Sequence, residues 1–345
     1  MRALALDAVG GLEHLSVRDV PPPTIQRPDD VRLCVRMAGF NHLDVWVARG
    51  LPGLELALPH IVGSDAAGVV DEVGPAVRGF AAGDRVMVNP GLSCGECAAC
   101  LDGEESLCRN FRLLGEHVAG TVAEYLVVPA ANLAKVPEGM PWDQAAAFSL
   151  GTLTAWRMLR TRAGLEPGEA VLIWGIGGGV AQALLRIAKL TGGFAIVTSG
   201  TPVKLEAARQ LGADAVIDHS TEDVIARVRE LTGGRGADVV ADSVGQATWD
   251  RSLRSLRKGG RLVTCGATSG PSVSLDIRRL FWNQWSLLGS TMGSRREYRA
   301  IVRLAGRGHL WPVVDRVLPL RSAVVALQRL SAAEQFGKLV IEVTA

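Results

Sequence analysis

The rhythm of apolar and polar positions changes near residue 152. Up to about residue 130, short β-type runs at 31–35, 68–73, 84–88 and 124–128 sit between glycine and proline punctuation. Runs this short, bounded by turn residues, read as strands rather than helices and predict a compact, mostly β domain. From Thr152 onward, apolar runs at 170–174, 194–198, 215–217, 237–241, 261–265 and 286–289 alternate with helical patterns. Between the first two, Val180, Leu184, Ile187 and Thr191 fall at helical spacing, with Arg186 and Lys189 turned elsewhere. Six such runs with crossover helices predict a doubly wound parallel sheet with helices on both faces. After Met292 come a helical stretch at 296–306, proline-bounded loops, a second helical pattern at 321–330 and a terminal apolar strand at 338–343. We assign this tail to the first domain. The predicted α/β organisation is therefore two domains, 1–151 with 292–345 and, inserted between them, 152–291.

Composition narrows the functional classes. A chain of 345 residues that is 48% apolar has enough material for two cores. Its 37 basic and 35 acidic residues are scattered, so no basic stripe offers a footprint for nucleic acid, and a small-molecule substrate is expected. No apolar run approaches the ~18 residues of a membrane span. Residues 1–11 lack the apolar core of a signal peptide, and a cytoplasmic protein is expected.

The run at 170–174 leads directly into Gly175-Ile176-Gly177-Gly178-Gly179-Val180-Ala181 and then a helix. Glycines allow a tight turn and close backbone approach, while a helix N-terminus presents free N–H groups to a pyrophosphate. Val180, or Ala181 in another register, stands where a third fingerprint glycine is usual. Dinucleotide binding is the reading of this turn, against a purely structural one. An acidic residue at the end of the second strand would accept from a free ribose 2′-hydroxyl and repel a 2′-phosphate. Here that end reads Thr198-Ser199-Gly200-Thr201-Pro202-Val203-Lys204, with no carboxylate before Glu206. Ser199, Thr201 and Lys204 can bind phosphate oxygens, which favours NADP(H); a solvated lysine on the next helix is the plainer alternative.

Four cysteines, Cys94, Cys97, Cys100 and Cys108, form a C-x2-C-x2-C-x7-C pattern in a glycine-containing loop. Four thiolates on short loops suit a tetrahedral zinc with no open position, hence one structural Zn2+. An iron–sulfur cluster is the rival, but the long last spacing and the absence of a Cys-Pro ending do not fit the common ferredoxin run. Cys34 and Cys265 lie in apolar segments and read as small buried hydrophobes.

The order of these features, together with Gly39-Phe40-Asn41-His42-Leu43-Asp44, Gly63-Ser64-Asp65-Ala66-Ala67-Gly68 and Ala123-Glu124-Tyr125, resembles the zinc alcohol dehydrogenase and quinone oxidoreductase superfamily of medium-chain dehydrogenases along essentially the whole chain. The resemblance implies a GroES-like, mostly β catalytic domain and a Rossmann domain, assembled as a homodimer or homotetramer with Ser286–Gly289 as a pairing edge. In the family's zinc alcohol dehydrogenases a catalytic zinc would be held at the positions of Asn41, Ser64 and Leu150, none of which offers a thiolate or imidazole here. The resemblance to the zinc-free quinone oxidoreductases lies in Asn41 and Asp44, although those enzymes lack the four-cysteine lobe. Trp46 stands where that group often has tyrosine, and Leu43 where alcohol dehydrogenases have a hydroxyl used in proton relay.

Without a metal to acidify an alcohol, the expected chemistry is hydride transfer to an acceptor that is already activated, a quinone or an α,β-unsaturated carbonyl. The alternatives are a zinc-type alcohol dehydrogenase or carbonyl reductase with unusual ligands and a non-catalytic NADPH-binding protein. Asn41 is the candidate donor to the substrate oxygen, or else a turn residue bonded to its own backbone. Asp44 is a candidate to orient its neighbours. His42, Trp46 and Tyr125 are candidates for the pocket, against a surface histidine and core aromatics. The nicotinamide is expected near Cys265, Gly266, Ala267 and Ser290.

Overall fold

The computed structural model describes residues 1–344. It divides into two compact units, Met1–Gly151 with Gly293–Ala345, and Thr152–Met292. Met292 belongs to the second unit, one residue beyond the boundary drawn from the sequence, and its sulfur accepts a 3.7 Å hydrogen bond from Thr154 Oγ1.

In the first unit, strand Asp30–Gly39 organises a seven-stranded sheet. One edge pairs with Asp65–Val73, and beyond it lie Arg85–Val88 and Leu133–Lys135. The other edge is shared: Asp30–Cys34 pair with strand Tyr125–Pro129, and Met37–Gly39 pair with the terminal strand Lys338–Glu342. The chain's last strand thus completes a sheet begun by its third, and the assignment of the tail to this unit follows from main-chain pairing. The predicted helices at 296–306 and 321–330 are Arg295–Ala305 and Ala323–Ser331. Buried Leu33, Val35, Phe40, Val70, Val86, Leu327 and Ile341 form part of one core. Gly39 is required by close approach, since a Cβ there would stand 2.5 Å from the carbonyl oxygen of Ala146.

The second unit is a six-stranded, wholly parallel sheet in spatial order Ala215–Asp218, Phe194–Ser199, Ala170–Ile173, Ala237–Asp242, Leu256–Thr264, Ser286–Gly289. Counted along the chain this is 3-2-1-4-5-6, so strand order reverses beside Ala170–Ile173 and opens a crevice at its carboxyl end. All four residues of that strand are apolar and buried, as a parallel strand covered on both faces requires, and the run therefore shows no alternation. Cys265 falls just past the end of strand Leu256–Thr264 and is half-buried. No helix among the described residues is long and apolar enough to cross a membrane.

Candidate active site

Sheet register brings three distant side chains together. Gly39 pairs with Asp65 on one side and Val340 on the other. Carried two residues past Gly39, that antiparallel register sets Asn41 opposite Lys338, and Phe40 N–H still donates to Leu339 O at 2.9 Å. The Lys338 amine donates to Asn41 Oδ1 at 2.6 Å and to Asp65 Oδ2 at 2.9 Å. Asn41 Nδ2 donates to the same Asp65 oxygen at 3.0 Å, and the Leu150 backbone N–H donates to Asp65 Oδ1 at 2.7 Å. The side chains of Asp65 and Lys338 are 0% and 4% exposed, so a fully formed ion pair sits inside the unit. Such a pair persists in a low-dielectric interior only when further hydrogen bonds satisfy its members, as Leu150 and Asn41 do here.

Asn41 caps helix His42–Arg49 in a reciprocal capping box with Asp44, and the same amide also reaches Lys338 and Asp65. Asp44 accepts from Asn41 N at 2.7 Å with Oδ2 and from Gly63 N at 3.0 Å with Oδ1. Complete burial raises the Asp44 carboxyl to about 7, opposed by the Asn41 N–H and the Lys338 charge and assisted by Asp65. Asp44 therefore links the Asn41 turn to the Gly63 turn.

His42 and Trp46, one helical turn apart, are both half-buried with ring centroids 6.3 Å apart. Burial lowers the His42 pKa, and the charges of Lys338 and Arg49 add to this, so the ring is neutral at neutral pH. Tyr125 is not brought to this cluster. It pairs with Cys34, five strand residues before Gly39, which at ~3.4 Å per residue is about 17 Å along the sheet. Its ring lies beneath the Arg32 guanidinium instead, 5.9 Å from the centroid. Tyr125 heads the strand Tyr125–Pro129.

At the other two positions of the family's catalytic zinc, Ser64 spends its hydroxyl on Leu114 O at 2.8 Å, and Leu150 contributes only its backbone N–H. Among the described residues, the one group of three or more His, Cys, Asp or Glu side chains placed to share a metal ion is Cys94, Cys97, Cys100 and Cys108. Sulfur separations are 3.5 Å for Cys94–Cys108, 3.6 Å for Cys97–Cys100 and 3.9 Å for Cys94–Cys100. A tetrahedron of sulfurs ~2.3 Å from zinc has edges of about 3.8 Å, so the quartet fits the ion. Backbone N–H groups of Glu96 and Cys97 lower the Cys94 thiol to about 6, and burial raises Cys100 to about 11. Backbone N–H groups of Cys94 and Asn110 point at Cys108 Sγ, at 3.4 and 3.3 Å, as donors to a thiolate would.

In the second unit, the turn from Gly175 to Gly178 joins strand Ala170–Ile173 to helix Gly179–Thr191. Gly175 has φ +69°, a conformation glycine adopts at little cost. Nothing but Val244 and Gly175 O, each at 3.9 Å, comes near a Cβ built at Gly175 or Gly178, so the cradle is open. No side chain caps the helix, leaving the N–H groups of Gly179, Val180 and Ala181 for an anion. Gly177, between them, is half-buried. At the end of the second strand, Ser199 Oγ accepts from Thr201 N at 3.1 Å, and Thr201 caps helix Pro202–Gln210, which carries half-buried Lys204. Ser290 N–H donates to Thr264 O at 2.9 Å, and its hydroxyl oxygen is enclosed without a partner. Gly266 O accepts from Thr264 Oγ1 at 3.1 Å, and Ala267 is exposed beside it. Burial, with the charge of Asp242, pushes the Cys265 thiol up to about 12. An open cradle, an uncapped helix and an orphaned hydroxyl are what a dinucleotide requires.

Three features escape the sequence reading. Lys338 heads an apolar strand and gives no sign of its partners. Tyr298 and Ser149 share a buried 2.9 Å hydrogen bond between hydroxyls, and burial raises the phenol. His219 follows the third strand next to Gly200, with Nδ1 enclosed and unpartnered, and burial lowers its pKa. A histidine one residue past a strand end in a sheet of this order was the available signal for the last.

A parallel sheet in this order with a glycine turn at its reversal, joined to a β unit bearing a four-thiolate loop, defines a nicotinamide-dependent dehydrogenase. The chain belongs to the zinc-type alcohol dehydrogenase family of the medium-chain dehydrogenase/reductase superfamily. Residues 27–138 match the alcohol dehydrogenase GroES-like domain, and residues 179–307 match the zinc-binding dehydrogenase domain. An NAD-dependent alcohol dehydrogenase of Sulfurisphaera tokodaii is 32% identical, the match covering 99% of each chain. A crotonyl-CoA reductase of Streptomyces avermitilis is 31% identical over 89% of this chain and 77% of its own. The crystal structure of an NAD-dependent alcohol dehydrogenase superposes with a TM-score of 0.96 at 45% identity over 100% of both chains. The protein is an NAD(P)H-dependent oxidoreductase.

Proposed function

We propose that the protein is an NADPH-dependent reductase that delivers hydride to an activated acceptor, a quinone, enone or other α,β-unsaturated carbonyl, without a catalytic metal. The observation that carries this reading is the state of the three positions where the family's alcohol dehydrogenases hold zinc. Asn41 is engaged with Asp65 and Lys338, Ser64 with a carbonyl, and Leu150 has no donor atom in its side chain. Amide and hydroxyl groups committed to other partners make poor zinc ligands. A relative named crotonyl-CoA reductase fits the same acceptor class, since its name describes reduction of an α,β-unsaturated thioester.

When bound, the nicotinamide supplies the hydride. The chain supplies position and charge. The open turn at Gly175, Gly177 and Gly178 and the N-terminus of the Gly179–Thr191 helix are placed to take the pyrophosphate. Ser199, Thr201 and Lys204 present hydroxyls and a cation where a 2′-phosphate would lie, with no carboxylate at the strand end to repel it. Asn41 directs its remaining N–H to the acceptor oxygen and holds the negative charge that develops there. Trp46 and a neutral His42, one helical turn apart on the helix that Asn41 caps, add no charge of their own to the site. We also propose a homo-oligomer, paired through the open edge Ser286–Gly289.

The test is steady-state oxidation of NADPH and of NADH with a panel of quinones, enones and enoyl thioesters, run beside oxidation of simple alcohols with either oxidised cofactor. The reading predicts turnover of at least one activated acceptor, a kcat/KM for NADPH at least tenfold above that for NADH, and no alcohol oxidation. Turnover confined to alcohols would overturn it.

A further inference from the structure

A metal-free site still needs a positive charge to meet the electrons arriving on the acceptor, and the first unit contains one. Lys338 is the buried cation of the Asn41 cluster, 4% exposed, and it is 297 residues away from Asn41 along the chain. An ammonium has three N–H donors, and two are spent on Asn41 Oδ1 and Asp65 Oδ2. The Asn41 amide is fixed by the same contacts. Its oxygen faces Lys338 and one N–H faces Asp65, at 2.6 and 3.0 Å. The flipped amide would set its oxygen against the Asp65 carboxylate and its NH2 group against the ammonium, so only one orientation is compatible with both charges. In that orientation the second Nδ2–H has no protein partner among the contacts of the described residues. An ammonium on the amide oxygen draws electron density from the nitrogen and makes that N–H a stronger donor.

We infer that Lys338 is the positioning residue that takes over the electrostatic task of the missing metal: its ammonium, held by Asp65, orients and polarises the Asn41 amide so that Asn41 Nδ2–H stabilises negative charge on the acceptor oxygen. Lys338 acts through Asn41 and does not itself touch the acceptor. Asp65 serves to keep the cation in place, at the cost of some of its field. The assignment rests on the proposed reduction of carbonyl acceptors, and it is tested without turnover.

The probe is 4-nitrophenolate, a stable phenoxide that presents anionic oxygen to the site, with 4-nitroanisole as its neutral counterpart. Binding of each is followed by quenching of tryptophan fluorescence in zinc-loaded protein saturated with NADP+, at a pH where the phenol is ionised. Lys338→Met alone strands a buried carboxylate and is expected to fold poorly. The informative pair is therefore Asp65→Asn, whose carboxamide oxygen can still accept from the Lys338 amine, and Asp65→Asn with Lys338→Met, which removes both groups. The inference predicts that Asp65→Asn binds the phenolate more tightly than the unaltered protein and that the double variant binds it at least tenfold more weakly. Affinity for the anisole should stay within about threefold throughout, and circular dichroism should be unchanged. Equal phenolate affinity in the two variants, both folded, would assign Lys338 a purely structural role and overturn the inference. Phenolate discrimination without reduction of any enone or quinone by the unaltered protein would support the Lys338 assignment and overturn the proposed function instead.

Discussion

Asp44 is the residue whose chemistry is most exposed to pH. Its carboxyl titrates near 7 in the folded protein against an ordinary value of 3.8, so the folded state binds the extra proton between these limits. The sign is opposite to that of a salt-bridged aspartate. Below about pH 4 the carboxyl is protonated in both states and its burial has no pH-dependent cost. As pH rises from 4 toward 7 the unfolded chain gives up the proton more readily, and stability falls; above 7 the loss is complete. Urea unfolding from pH 5 to 8 should show this decline, and Asp44→Asn should lack that component. The variant should also be less stable at pH 5 by about 1–3 kcal/mol, because a carboxamide cannot accept from both Asn41 N and Gly63 N without turning its NH2 toward one of them. A difference between the two proteins that is constant across the range would show that Asp44 does not titrate there.

At this scale the sequence was partly legible. The type of residue at positions 41, 64 and 150 is what carries the proposal of a site without catalytic zinc, because zinc demands sulfur, imidazole or carboxylate. The partners of Asn41 were not legible, since the Lys338 contact arises from antiparallel register and joins residues 297 apart.

Among elements, local pattern was the better guide. The six apolar runs of the second unit are its six strands because parallel strands covered on both faces need continuous apolar sequence. The helix predicted after Met292 carries its own start signal, Ser294 with Glu297 three residues on, and the two side chains form a reciprocal capping box. The hairpin of strands Arg2–Leu6 and Leu15–Asp19 was missed; the second strand is mostly exposed and carries little apolar signal. The cysteine loop lacks long regular elements and contains only short helical turns at Ala98–Leu101 and Glu105–Leu107, so a metal held by its four thiolates would be its main source of order. Arg295 ties this loop to the following helix through Glu105 and Ser93. Cys97→Ser should therefore release zinc, lower the melting temperature by several degrees and open residues 94–108 to proteolysis. The affinity of the second unit for NADPH should stay within about threefold. Retention of full zinc and unchanged melting would contradict a four-thiolate site.

For the whole molecule, the two-unit division was visible as a change of hydrophobic period, and the return of the tail to the first unit as a terminal apolar run in need of a sheet. Assembly was not, because an open edge and an interface look alike in a single chain. The second unit ends its sheet at Ser286–Gly289, preceded by helix Ile277–Asn283 with Ile277, Phe281 and Trp282 exposed at 68%, 62% and 72%. Exposed large apolar groups and an unpaired edge strand are what support the proposed self-association. Sedimentation velocity should find a dimer or tetramer, and Trp282→Ser should shift it toward smaller species; a monomer at micromolar concentration would remove this surface from the account.

The claim on which the rest depends is that the chain reduces its acceptor with one zinc, held by cysteine, and none at Asn41, Ser64 and Leu150. The most direct measurement is zinc per chain by elemental analysis on purified, catalytically active protein after dialysis against a mild chelator. One equivalent is predicted. Two firmly bound equivalents would contradict the metal-free site and return the protein to alcohol chemistry.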